Sequence, residues 1–236
     1  MNKPKQSIAC QVQSIENLGA DVFQLDLLLP KDDLPTFAPG QYLMLASSQD
    51  EFYPFSIASA PQQLPLLSLQ ILARENAAVD LLAQIRSDGV AQLQLPLGDV
   101  CLRDGGEPLL LIAAGTGMAQ MHSMLEYCRL QGSQRQISLY WGAKTEEDFY
   151  QVPAWQHWQQ MENVSLHRIV SHDDDWDGRS GLLYEAVCQD IKDFSALEVY
   201  VSGSPNMVYA TLDAFVAAGM QQKQMHADVF SYAPRN

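Results

Sequence analysis

Leu109-Leu-Leu-Ile-Ala-Ala-Gly115-Thr116-Gly117-Met118-Ala-Gln-Met121 is the stretch on which the reading of this chain turns. Six apolar residues, the length of a buried strand, stop at two glycines and run directly into helical spacing. The glycines lack side chains, so a phosphate can approach the backbone closely. The helix that follows presents unpaired N–H groups and the positive end of its dipole. G-T-G is shorter than the G-x-G-x-x-G fingerprint, and a tight turn needing glycine for geometry alone would leave the same trace. The surrounding rhythm therefore has to decide.

Downstream, strands and helices alternate. Gln136–Trp141 reads as a strand ending at Gly142, and Val164–Val170 and Leu197–Ser202 read as further strands. Helices are expected over Met118–Gln131, Leu182–Gln189 and Pro205–Ala218, with a last strand through Ala227–Tyr232. Such alternation implies a parallel sheet covered by helices. Ser202-Gly203-Ser204-Pro205 is a second glycine-bearing strand end, with Pro at the first turn of the next helix. Ligands of open parallel sheets bind at the carboxyl ends of strands. Turns at Gly115–Gly117, Gly142 and Ser202–Pro205 on one edge thus favour a dinucleotide site.

Upstream the period is two. Ile8–Ile15, Val22–Leu29, Gln41–Ala46, Tyr53–Ser59, Leu67–Ala73 and Val90–Leu95 read as strands separated by turn signals such as Ala38-Pro39-Gly40. One helix, about Ala77–Arg86, interrupts them, with Val79, Leu82 and Ala83 as its apolar face and Ile85 less well placed. Six short strands of this kind predict a small antiparallel barrel. Arg103-Asp-Gly-Gly-Glu-Pro108 reads as a linker. The fold class is thus all-β followed by α/β: an N-terminal antiparallel barrel over 1–103 and a Rossmann-like parallel-sheet domain over 104–236.

Composition narrows the chemistry. A chain of 236 residues is comfortable for two domains, and 47% hydrophobic with 18% charged residues describes a folded protein. A formal net charge of −14 argues against nucleic acid, whose binding needs a basic surface to release counterions. No run approaches the roughly 18 apolar residues of a membrane span, and a cytoplasmic location is expected. Cys10, Cys101, Cys128 and Cys188 are too far apart to suggest a disulfide frame or an iron–sulfur cluster. His122, His157, His167 and His226 lack metal-ligand spacing, so no metal is expected. Asp173, Asp175, Asp177 and Gly178 match the start of a calcium loop, but loop position 12 is Tyr184; a solvated acidic connection is expected.

Pro39-Gly40-Gln41-Tyr42, Tyr53-Pro54-Phe55-Ser56, Ala114-Gly115-Thr116-Gly117, Tyr140-Trp141-Gly142-Ala143-Lys144, Trp176-Asp-Gly178-Arg179-Ser-Gly181, Ser202-Gly203-Ser204-Pro205 and Asp228-Val-Phe230 follow one another along nearly the whole chain. In this order the chain resembles the ferredoxin–NADP reductase superfamily, and within it the NAD(P)H:flavin reductases. The resemblance implies hydride transfer from NADH or NADPH to a flavin (riboflavin, FMN or FAD). Ser56 is then expected to face the flavin N5, with Tyr53, Pro54 and Phe55 along the ring. A hydroxyl suits that place because it both donates and accepts as N5 gains its hydrogen. Gly115, Thr116, Gly117, Met118, Gly142, Ser202, Gly203 and Pro205 are expected to hold the dinucleotide. Ser202 stands where relatives often have cysteine beside the nicotinamide, and Asp228 lies near the family's C-terminal acidic or aromatic position. Ser56, Ser202 and Asp228 are therefore the candidates nearest the chemistry.

One departure stands out. The family carries arginine where this chain has Tyr53, which supplies no positive charge. Arg74 is a candidate to replace it, and weak flavin retention is otherwise expected, with flavin acting as a substrate. Lys144 and Arg179 are candidates for the dinucleotide's ribose or 2′-phosphate. Reduced flavin would then pass to an oxygenase or to ferric iron. Two alternatives remain: a reductase with tightly bound flavin serving a separate ferredoxin or oxygenase, and a non-catalytic subunit that keeps the fold.

Overall fold

The computed structural model describes residues 7–32, 34–47, 51–173 and 175–235. They divide into two compact units: 7–102 with 122–131, and 103–121 with 132–235.

The first unit contains β1 (Ile8–Gly19), β2 (Val22–Leu28), β3 (Tyr42–Ala46), β4 (Tyr53–Ser56), β5 (Leu66–Leu72), α1 (Asn76–Asp88) and β6 (Val90–Leu97). The strands form one antiparallel sheet in the order β4-β3-β6-β1-β2-β5. A bridge between Ile57 and Leu69 joins its two edges, so the sheet closes into the expected barrel. Closure also explains why β4 stops at Ser56 instead of reaching Ser59. The Ile57 N–H still donates to the Gln41 carbonyl at 3.1 Å, and one residue on the backbone turns to β5, where the Ala58 N–H donates to the Ser68 carbonyl at 2.8 Å. β6 runs two residues beyond the expected Leu95. Pro96, which has no N–H to give, lies where the register between β3 and β6 shifts.

Alternating residues fill the barrel: Leu25, Leu27, Leu43, Leu45, Leu67, Leu69, Ile71 and Leu93 are all fully buried. Helix α1 presents Ala78, Leu81, Leu82 and Ile85 to this core. The expected face was misplaced by one position. Val79 is 45% exposed and Ile85 is fully buried, because the stripe runs i, i+3, i+4, i+7 from Ala78.

The second unit contains β7 (Leu109–Ala114), the start of α2 (Met118–Leu130), β8 (Ile137–Ala143), α3 (Trp155–Gln159), β9 (Val164–Val170), β10 (Arg179–Ser180), α4 (Leu183–Asp190), β11 (Glu198–Ser202), α5 (Pro205–Ala217), β12 (Met225–His226) and α6 (Val229–Tyr232). All six strands are parallel, in the order β10-β9-β8-β7-β11-β12. Strand order reverses at β7: the chain steps outward through β8 and β9, then returns to the other side of β7 as β11. A reversal of this kind leaves a crevice at the strands' carboxyl ends. Strand β7 is buried along most of its length, and Leu110 and Ile112 pack with Val199, Val201, Val208, Leu212 and Phe215.

The C-terminal expectation fails. Only Met225–His226 pairs as a strand, and Val229–Tyr232 forms one helical turn. After Ala227 the chain turns, with the Phe230 N–H donating to the Ala227 carbonyl and the Ser231 N–H to the Asp228 carbonyl. Short-range bonds thus replace the ladder beyond two residues. Strand β8 likewise runs to Ala143, so Gly142 lies inside it rather than past its end.

Candidate functional site

In the second unit the two glycine turns lie against each other at the reversal. β7 and β11 are neighbours, with Ala113 opposite Ser202. A Cβ on Gly117 would stand 2.4 Å from the Ser202 carbonyl oxygen and 2.8 Å from its carbonyl carbon, so only glycine permits this approach. Gly203 is nearly as close to its neighbours, with Met207 Sδ at 3.1 Å and Ala114 Cβ at 3.2 Å from the position of a Cβ. Gly115 is different in kind: nothing lies within 4 Å, but its φ of +53° is left-handed backbone that favours glycine. One glycine is required by packing and the other by conformation.

Each turn feeds a helix. Gly115–Gly117 forms a tight 3₁₀ turn leading into α2. Ser204 caps α5, its Oγ accepting from the Met207 N–H at 3.4 Å, with Pro205 at the first turn. Two helix N-termini and their positive dipole ends therefore flank one crevice, an arrangement suited to a pyrophosphate.

The expected residues do not all contribute alike. Met118 is fully buried and its N–H is spent on the carbonyls of Gly115 and Thr116. Gly142 makes room for Leu183 of α4, whose Cδ1 lies 2.5 Å from where a Cβ would be. Asp228 Oδ2 accepts from Gln120 Nε2 at 2.8 Å, which ties the C-terminal turn to α2. Arg179 is engaged with Asp190 and donates to the Ala186 carbonyl at 2.7 Å and to Gln189 at 2.8 Å, so its guanidinium caps the end of α4. Lys144 is exposed. In the acidic connection, Asp173 accepts from the backbone N–H groups of Glu146 and Asp175.

In the first unit, strand alternation sorts the motif Tyr53–Ser56. Tyr53 and Phe55 pack against the barrel core, which leaves Pro54 and Ser56 on the opposite face. Phe55 thus serves the core with its side chain, and only its backbone remains for a ligand beside Ser56. The Tyr53 hydroxyl is bonded to Glu51, which raises its pKa above the ordinary phenol value. Arg74 Nε donates to Asp21 Oδ2 at 3.0 Å in a largely exposed pair. The turn before β3 is braced by Gln41, which accepts from the Ala38 N–H and donates to the Gly98 carbonyl, each at 2.8 Å.

A family profile described as an oxidoreductase NAD-binding domain matches residues 111–213, the span containing both glycine turns. An NAD(P)H-flavin reductase of Vibrio harveyi is 32% identical over 242 residues, covering 96% of this chain and 99% of the relative. The chain belongs to the ferredoxin–NADP reductase superfamily, among its NAD(P)H:flavin reductases. A longer relative, the CDP-6-deoxy-L-threo-D-glycero-4-hexulose-3-dehydrase reductase of Yersinia pestis, is 30% identical over 230 residues, covering 96% of this chain and 69% of that protein. Among solved structures, a ferredoxin reductase in carbazole 1,9a-dioxygenase superposes with a TM-score of 0.79 at 21% identity, over 94% of this chain and 69% of that one. The last likeness is one of fold.

Within this flavin-reductase fold, several side chains take partners that the sequence did not reveal. Trp141 on β8 is fully buried, and its indole Nε1–H donates to the Gly115 carbonyl at 3.1 Å. Phe149, Tyr150 and Trp155 surround the indole at centroid distances of 4.8, 5.0 and 5.7 Å. Arg168 on β9 stacks over Trp155, Phe149 and Trp141 at 4.7, 5.2 and 5.7 Å. Its Nε is buried with no hydrogen-bond partner among the described residues, and burial lowers its pKa. In the first unit, buried His122 has Nδ1 2.9 Å from Gln70 Nε2, and Ser123 Oγ donates to the Ser59 carbonyl at 2.7 Å. Burial pulls the His122 pKa down to about 4, so the ring is neutral and accepts from the amide. Isolated tryptophans, arginines and histidines in a sequence do not reveal such partners.

Proposed function

We propose that this protein is an NAD(P)H:flavin oxidoreductase, with the flavin (riboflavin, FMN or FAD) held loosely by residues 1–103 and the dinucleotide by residues 104–236. The reading rests chiefly on one observation: Gly117 touches the Ser202 backbone where the parallel sheet reverses, between the N-termini of two helices. Membership of the flavin-reductase family and the name of the Vibrio harveyi relative support it.

Bound together, NAD(P)H and flavin would supply the hydride chemistry, which leaves binding, alignment and exclusion of water to the protein. On this reading the N–H groups of the Gly115–Gly117 turn and the capped start of α5 hold the pyrophosphate. The Ser202 hydroxyl lies 3.0 Å from the Cβ position of Gly117, and on this reading it would contact the nicotinamide. Ser56, on the face of β4 opposite the barrel core, offers a hydroxyl that can donate or accept at N5 in either oxidation state. Asp228, oriented by Gln120, contributes at the nicotinamide end. Among the described residues, Tyr53 bonded to Glu51 and Arg74 paired with Asp21 put no unopposed cation at the motif that in the family carries arginine. This motif would accordingly hold flavin weakly, so that reduced flavin could serve an oxygenase or ferric iron.

No helix among the described residues is long and apolar enough to cross a membrane. A cytoplasmic setting fits the four free cysteines.

The test is oxidation of NADH and of NADPH with riboflavin, FMN and FAD, using protein first checked for bound flavin. Turnover that requires added flavin supports the reading, and no turnover with any pair refutes it. The longer reductases among the relatives favour a second reading, in which a retained flavin serves a separate electron acceptor. Purified protein that stays yellow, with stoichiometric flavin after gel filtration, would select that one.

A further inference from the structure

We infer that Trp141 is a positioning residue for the dinucleotide: its indole N–H fixes the Gly115 peptide and thereby aims the turn that receives the pyrophosphate. The inference rests on the functional reading above and assigns a task within the same site.

A turn with glycine on both sides of Thr116 has little rigidity of its own. Glycine has the widest backbone freedom of any residue, and a Cβ position at Gly115 has no neighbour within 4 Å to confine it. Packing therefore pins the turn at Gly117, against Ser202, but not at Gly115. The Gly115 carbonyl instead receives two donors. One is local, the Met118 N–H at the start of α2. The other crosses from the neighbouring strand, the Trp141 indole at 3.1 Å. Both lone-pair directions of that oxygen are then occupied. Rotation of the Gly115–Thr116 peptide would break both bonds, and the same rotation would swing the Thr116 N–H away from a bound phosphate.

The donor is itself held. Trp141 sits beside β7, with Ala113 as its partner in register, so its side chain reaches two residues up to the turn. Phe149 and Tyr150 meet the ring edge-on, interplanar angles being 68° and 75°, and Trp155 lies tilted at 48°. Arg168 stacks over Trp141, Phe149 and Trp155, and its buried Nε has no acceptor among the described residues to pull it aside. A buried indole N–H needs an acceptor in any case, and here that acceptor is the carbonyl of the turn rather than one within a strand.

One neutral hydrogen bond corresponds to about a 2- to 10-fold change in affinity. The decisive variant replaces the Trp141 indole with its benzothiophene isostere, which keeps both rings and deletes only the N–H. The expected result is a KM for NADH raised about 2- to 10-fold, with kcat at saturation, the flavin KM and the melting temperature close to wild type. Trp141→Phe is expected to raise the NADH KM at least as much while also lowering the melting temperature. An isostere whose NADH KM equals that of wild type overturns the inference and leaves Trp141 as packing alone. Wild-type protein that oxidises no NADH or NADPH defeats the functional reading itself, and this inference with it.

Discussion

Gly117→Ala tests the contact on which the site depends. The added Cβ would stand 2.4 Å from the Ser202 carbonyl oxygen, 2.8 Å from its carbon and 3.0 Å from its Oγ. Two of these atoms are backbone, at the end of a strand held in register with β7 from Glu198 to Ser202, so no side chain can swing aside. Normal carbon–oxygen separation requires one strand end to move by roughly 0.8 Å. Overpacking of this kind costs about 1–3 kcal/mol. At roughly 2–4 °C per kcal/mol for a chain of this size, the melting temperature should fall by about 2–12 °C. Binding should suffer more than stability, because the displaced atoms are those proposed to face the dinucleotide. A shift of nearly 1 Å there should lower kcat/KM for NAD(P)H by at least about tenfold, leaving the flavin KM unchanged. Differential scanning fluorimetry and steady-state kinetics read both quantities. Gly115→Ala is the contrast: it meets no atom, but its left-handed backbone costs about 1–2 kcal/mol. It should lose stability with a smaller effect on kcat/KM. A Gly117→Ala protein with wild-type melting temperature and NADH kinetics would refute the claim that the two turns need this close approach.

Ser56→Ala should lower turnover much more than NADH affinity, measured as kcat against KM with saturating flavin; equal turnover would remove Ser56 from the mechanism. Arg74→Ala should weaken flavin if that residue supplies the charge missing at Tyr53, and unchanged affinity for both riboflavin and FMN would defeat the idea. His122 gives a pH signature. Its folded pKa of about 4 lies below the ordinary 6.5, so the unfolded chain binds the proton first as pH falls. The stabilisation is therefore complete above pH 6.5 and is lost on the way down to pH 4, a change of roughly 3 kcal/mol. Urea unfolding of His122→Gln should show a shallower loss of stability across that window; a slope equal to that of wild type would contradict the assignment.

The relation between sequence and structure differs between the two units. Period-two stretches and turn residues were enough for the barrel's strands because each side chain's burial repeats along its own strand. The barrel was legible but the residues that close it were not, since the bridge between Ile57 and Leu69 joins residues whose pairing depends on the whole sheet's curl. That curl ended β4 early. The α1 face was misjudged because Val79 and Ile85 are equally apolar in composition, and only the helix's rotation against the barrel ranks them. At the C-terminus an apolar, aromatic run looked extended, but the ladder with β11 lasts two residues before local turn bonds take over.

The sequence by itself determined the kind of structure and the position of its glycine turns, because strand and helix periods, and the lack of a Cβ, are local properties. Tertiary structure alone decided what those turns touch. It gave Gly117 to Ser202, Gly142 to Leu183, Arg179 to the end of α4 and the Trp141 indole to the Gly115 carbonyl. Each of these partners lies on another element, and all but that of Arg179 lie more than 25 residues away along the chain. A residue's type sets which bonds it can make, but the sheet's order and register set which groups come within reach.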